Sequence, residues 1–128
     1  MRVGSTGLVV ALSLALAVPA AGSEPPAQPG KQTYEDHCAL CHGPAGKGDG
    51  PVGLPVAPMP RDFSVGRFKF DADSDGRTGT DHDLFLVIRD GAAEFGGSPL
   101  MAPWAALGDE RIRELIPYVR SFEKSAAR

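Results

Sequence analysis

Two cysteines occur in this 128-residue chain, and both fall in one pentapeptide, Cys38-Ala39-Leu40-Cys41-His42. Two thiols three residues apart, followed at once by a histidine, have the spacing of a c-type haem attachment site. Each thiol can add to one vinyl group of a haem, so the backbone between them lies along one porphyrin edge. That brings the next side chain, His42, under the iron, where an imidazole nitrogen can coordinate it. A tethered haem does not need the tight non-covalent burial of a free one, so a small domain can hold it. Other readings of the pentapeptide stay open. An exported chain could close Cys38 and Cys41 into a structural disulfide. A thioredoxin-like redox pair requires a βαβ setting, which the flanking residues do not offer. A zinc site would need two more ligands from His37, His42 and His82, and there is no second CxxC.

The chain opens with Met1-Arg2, then an apolar run from Leu8 to Val18, then Pro19-Ala20-Ala21-Gly22-Ser23. A short basic start, a short hydrophobic stretch and a small-residue exit predict a secretory signal peptide over residues 1–22, cleaved near 20–22. The run is too short to span a bilayer and Pro19 interrupts its end, so no stable membrane insertion is expected after cleavage. A lipoprotein would need a cysteine at the cleavage site. No twin arginine is present, which points to Sec export with haem attached afterwards. The periplasm is the expected location. Cleavage after Gly22 leaves 106 residues, enough for one small domain, and removes Arg2 but no acid. The formal net charge then moves from −3 to −4. A mildly acidic chain is a poor nucleic-acid binder. A domain of this size buries a limited core. A haem adds a large flat apolar surface, which helps a chain with 16 glycines and 12 prolines to fold.

Residues 23–29 are Pro-rich and read as a flexible tail; the globular domain is expected over 30–128. A helix is expected from near Gly30 to Ala39 or Leu40, because Tyr34, Cys38 and Cys41 share one face. Residues 43–54 form a Gly-rich loop that lets backbone approach the haem edge. It lacks the strand and spacing of a phosphate-binding loop. Arg61 could pair with a haem propionate through its two-pronged guanidinium, with plain surface solvation as the alternative. Asp71-Ala72-Asp73-Ser74-Asp75-Gly76 matches the first half of a calcium loop. However, His82 stands where a bidentate Glu belongs, so an Asp/Gly-rich turn is preferred over calcium. Thr80 with Asp83 predicts a capping box for a helix over 81–90, stopped by Gly91, with Leu84, Val87 and Ile88 inward and His82 facing solvent. Asp109 is expected to cap a last helix from Glu110 to about Lys124. Its apolar face is Ile112, Leu115, Ile116, Val119 and Phe122, and Pro117 should bend it.

The sixth iron ligand decides between an electron carrier and a reactive haem. Met101 is preferred to Met59: it precedes the final helix, far from His42 in sequence, and Pro99 and Pro103 stiffen its loop. Core filling is the plain alternative for a methionine.

Cys38-Ala39-Leu40-Cys41-His42-Gly43, the Gly48-Asp49-Gly50-Pro51 turn and Leu100-Met101-Ala102-Pro103-Trp104 before an amphipathic helix resemble the class I monohaem cytochromes c. The resemblance spans roughly Gln32 to Phe122. It implies an all-α cytochrome c fold, with N- and C-terminal helices packed around one covalently attached haem c and Gly/Pro-rich loops. It also implies that the Pro51 carbonyl accepts the hydrogen bond from the second ring nitrogen of His42, a contact that orients a ligand and raises its basicity. The expected function is a soluble monomeric electron carrier, not an enzyme, docking briefly with a membrane respiratory complex or a periplasmic dehydrogenase. A haem subunit of a larger oxidoreductase is a rival reading. So is a haem enzyme or gas sensor with a displaceable sixth ligand.

Overall fold

The computed structural model describes residues 28–127 and the isolated residues 1 and 4. The signal peptide and most of the tail expected before residue 28 lie outside the described residues. Among those described, regular structure is entirely helical: α1 (Lys31–His37), α2 (Ala39–His42), α3 (Asp81–Asp90) and α4 (Asp109–Ala126). Three single 3-10 turns, Phe63–Val65, Ala92–Phe95 and Ala105–Leu107, punctuate the loops. No helix among the described residues is long and apolar enough to cross a membrane.

The core is a stripe of α4 against α1 and α3. Ile112, Leu115, Ile116, Val119 and Phe122 are buried at the spacing of one helix face. They meet Tyr34 from α1 and Leu84 and Phe85 from α3. Burying each large apolar side chain stabilises the fold by roughly 1.5–3 kcal/mol. Where α1 begins, its backbone abuts α4: a Cβ on Gly30 would lie 2.9 Å from the Leu115 Cα, and Gly30 has φ 81°. No side chain fits there, so glycine lets the two helices touch.

The capping box of α3 forms as expected. Thr80 accepts from the Asp83 N–H, and the Asp83 carboxylate accepts from the Thr80 N–H at 2.8 Å. The inner face differs from expectation. Phe85 is buried with Leu84, whereas Val87 and Ile88 are half-buried. The Arg89 and Arg113 guanidiniums lie 5.2 and 4.8 Å from the Phe85 ring centroid and cover it. His82 is exposed, as its place in the first turn predicts. The cap of α4 is Gly108, not Asp109. Asp109 sits inside the first turn, where its charge favours the positive helix end and faces Arg113 at 3.5 Å. The helix runs through Pro117 without losing the phase of its apolar face. Pro117 is on the exposed side, so its missing N–H falls away from the core.

Asp71, Asp73 and Asp83 bring carboxylate oxygens within 4.8 Å of one another. Backbone N–H groups occupy them: Asp75 and Gly76 donate to Asp71, and Ala72 to Asp83. This is an Asp-braced turn.

Candidate haem attachment site

Cys38 is the hinge between α1 and α2. It keeps helical backbone at φ −114°, donates to the Tyr34 carbonyl, and accepts from the His42 N–H at 2.9 Å. The expected single helix is thus two, with the attachment pentapeptide turning at their junction. Both thiols are free, so the disulfide reading finds no support in the structure. Burial, then the neighbouring Cys41, pushes the Cys38 thiol up to about 11, which keeps it protonated at neutral pH. The short α2 would leave its last carbonyls bare. The Gly-rich loop folds back to cover them: Gly50 donates to Cys41, Val52 to Leu40, and Gly48 to His42 at 2.8 Å.

His42 ends α2 and is 8 % exposed. Its Nδ1 lies 3.0 Å from the Arg61 carbonyl. A carbonyl only accepts, so Nδ1 carries the proton and the neutral ring keeps a lone pair on Nε2. Burial lowers the His42 pKa, with the Arg61 bond opposing it, so the ring stays neutral and able to ligate. Phe63 stacks on the ring, centroids 4.4 Å apart and planes 18° from parallel. The resemblance placed the Pro51 carbonyl on Nδ1; the structure puts Arg61 there instead. Pro51 is exposed between Gly50 and Val52, whose N–H groups are spent on α2 carbonyls. The Phe63 N–H donates to the Gly46 carbonyl at 2.6 Å, which draws residues 61–63 alongside the end of α2.

The Arg61 side chain donates from Nη2 to the Arg67 carbonyl. Its Nε is buried without a hydrogen-bond partner, the one such side-chain atom among the described residues. An unmet buried donor costs about 1–3 kcal/mol, so the site favours a bound group that brings an acceptor.

Met101 is half-buried, whereas Met59 is exposed. The Met101 loop hangs from the end of α3. Ala92 N–H donates to the Met101 carbonyl at 3.1 Å, and Trp104 N–H donates to Ile88 at 3.0 Å. Trp104 also meets His37, the last residue of α1, with ring centroids 5.1 Å apart. That pair links the methionine loop to the helix carrying Cys38. From the sequence, His37 is a candidate only for a zinc site, Trp104 only closes the methionine motif, and Phe63 has no role. The aromatic directly after Met101-Ala102-Pro103 was the available signal for Trp104. For Phe63 there was none, because a single 3-10 turn has no periodicity.

The family model described as cytochrome c oxidase, cbb3-type, subunit III matches residues 25–119. The chain belongs to this family. It is a monohaem class I cytochrome c with an all-α fold, an electron-transfer protein with one covalently bound c-type haem. The structure is similar to a chain of the reducing HAO-like protein complex of Kuenenia stuttgartiensis, with 35 % identity and a TM-score of 0.61. The match covers 75 % of this chain and 42 % of that one, so the cytochrome spans less than half of its structural relative. No curated protein matches.

The residues present fit a haem: two free thiols three residues apart, a neutral imidazole with Nε2 unspent, and an orphaned Arg61 donor. When bound, the haem supplies an iron that exchanges one electron between ferrous and ferric states. The chain supplies the tether at Cys38 and Cys41. It also orients His42 through Arg61 and Phe63, as outer partners of a metal-ligating histidine do.

Proposed function

We propose that this cytochrome is a soluble carrier in the periplasm, exported by the Sec route, with His42 and Met101 as axial ligands. Cys38 and Cys41 form the thioethers, and the Arg61 guanidinium pairs with a propionate through its orphaned Nε. The observation that carries this reading is the fixed His42 ring: with Nδ1 spent on a main-chain acceptor, Nε2 is the nitrogen left for iron. The tied Met101 loop supports a ligand held in both oxidation states, which keeps rearrangement small on transfer. A thioether favours the ferrous form and raises the potential. A membrane respiratory complex or a periplasmic dehydrogenase is the partner class, met through a small transient interface.

The test is an optical spectrum of the oxidised holoprotein and its Met101→Ala variant. A thioether-to-iron band in the red, lost in the variant, is expected. Ready binding of carbon monoxide by the reduced wild type would contradict the carrier and favour a sensor or enzyme. A second reading, a subunit of a larger oxidoreductase, is favoured by the likeness to one part of a longer chain from a complex. Size exclusion of native extracts separates the two, since a free carrier elutes alone.

A further inference from the structure

We infer that the Gly91 turn, which ends α3, is the positioning device for Met101. The inference rests on Met101 being the sixth ligand. Gly91 has φ 86° and ψ 151°, a region in which essentially only glycine is found. A Cβ built there would lie 3.0 Å from the Pro103 nitrogen and 3.1 Å from both the Met101 carbonyl oxygen and Pro103 Cδ. Those contacts are with backbone and a proline ring rather than the far end of a flexible side chain, so the methionine loop itself must shift by a few tenths of an ångström. The next residue, Ala92, donates its N–H to the same Met101 carbonyl at 3.1 Å. The turn therefore acts on Met101 twice. The hydrogen bond draws the loop in, and the missing side chain lets it come that close. A ligand carried by a loop needs such support, because a weak thioether bond cannot itself hold the loop in register.

The chain contains its own control. Gly108 has nearly the same backbone, φ 83° and ψ 151°, and also flanks a helix, but a Cβ there meets nothing within 4 Å. Alanine at either position carries similar backbone strain; only Gly91→Ala pushes on Met101 and Pro103. The experiment compares holoprotein of wild type, Gly91→Ala, Gly108→Ala and Ala92→Pro by Tm, thioether-to-iron band, midpoint potential and carbon monoxide binding. Ala92→Pro keeps φ compatible with the first position of a helical turn and removes the N–H that binds the Met101 carbonyl, leaving the Trp104 tie to Ile88 in place. It serves if Gly91→Ala does not accumulate.

Gly91→Ala and Gly108→Ala should lower Tm comparably. Gly91→Ala should lose the band, shift the potential downward and admit carbon monoxide when reduced, while Gly108→Ala keeps the wild-type spectrum and potential. Ala92→Pro should weaken the band. The inference is overturned if Gly91→Ala and Ala92→Pro both keep the full band and potential. It is equally overturned if Gly108→Ala loses the band in proportion to its Tm. A wild type that never shows the band removes the Met101 reading itself, and is thereby distinct from a fault in the turn.

Discussion

At the scale of single residues, the site is set by hydrogen bonds to main-chain carbonyls. Tyr34 is wholly buried, and its hydroxyl donates to the Gly43 carbonyl at 2.8 Å, one residue past His42. Tyr34→Phe leaves that carbonyl unpaired and should cost about 1 kcal/mol in a denaturant titration. The same phenol predicts a pH dependence. Burial, then the neighbouring Cys38, raises its pKa above the ordinary 10.0, so the folded state keeps the proton that the unfolded chain releases. The stabilisation is complete below pH 10 and lost above it. Wild-type stability should therefore decline more steeply at alkaline pH than that of Tyr34→Phe. Cys38, Cys41 and His42 were legible in the sequence because thiols and an imidazole at that spacing have few other uses. The carbonyl on His42 was not. Every residue has a carbonyl, so whether Pro51 or Arg61 supplies it depends on the path of the intervening loop, which side-chain identity does not encode.

At the scale of elements, helix ends carry much of the organisation. Asp83 is 1 % exposed and accepts from the Thr80 backbone and hydroxyl and from the Ala72 and Asp73 backbones, so it caps α3 and pins the preceding turn together. Asp83→Ala should cost about 2–4 kcal/mol, read as a fall in the denaturation midpoint. Burial opposes ionisation of Asp83, but these donors outweigh it and hold its pKa below the ordinary 3.8. That stabilisation is present above pH 3.8 and is lost as pH falls below it, so acid unfolding of the variant should be shallower. Across the helix pair, Arg120 of α4 donates to Asp81 at 2.5 Å and to the Gly79 carbonyl at 2.7 Å, and lies over Phe68. Arg120→Ala should cost about 1 kcal/mol, in large part through the Gly79 bond. The α3 boundaries were readable because Thr80, Asp83 and Gly91 each have a local geometric role. The inner face was misjudged at Phe85 and Val87 because half of the cation–π cover on Phe85, from Arg113, comes from α4, beyond any local window.

At the scale of the molecule, the proposed axial pair requires two pieces distant in sequence to act on one metal. His42 is fixed by a carbonyl and an aromatic ring, whereas Met101 is suspended from the end of α3 and braced through Trp104 against His37. The resemblance carried by the cysteine and methionine motifs implied the all-α architecture, while the amphipathic α4 and the capped α3 were legible as individual helices. The bracing was not, because contacts between loops leave no periodic trace. A chain rich in glycine and proline places its proposed ligands by tying loops to helix ends, and the core of α1, α3 and α4 keeps those ends in place. The most direct test is a redox titration of the purified holoprotein followed by its visible spectrum. A single one-electron wave of a c-type haem is expected, with the thioether band present when oxidised and no carbon monoxide bound when reduced. A reduced form that takes up carbon monoxide at once, or a preparation without c-type absorbance, would contradict it.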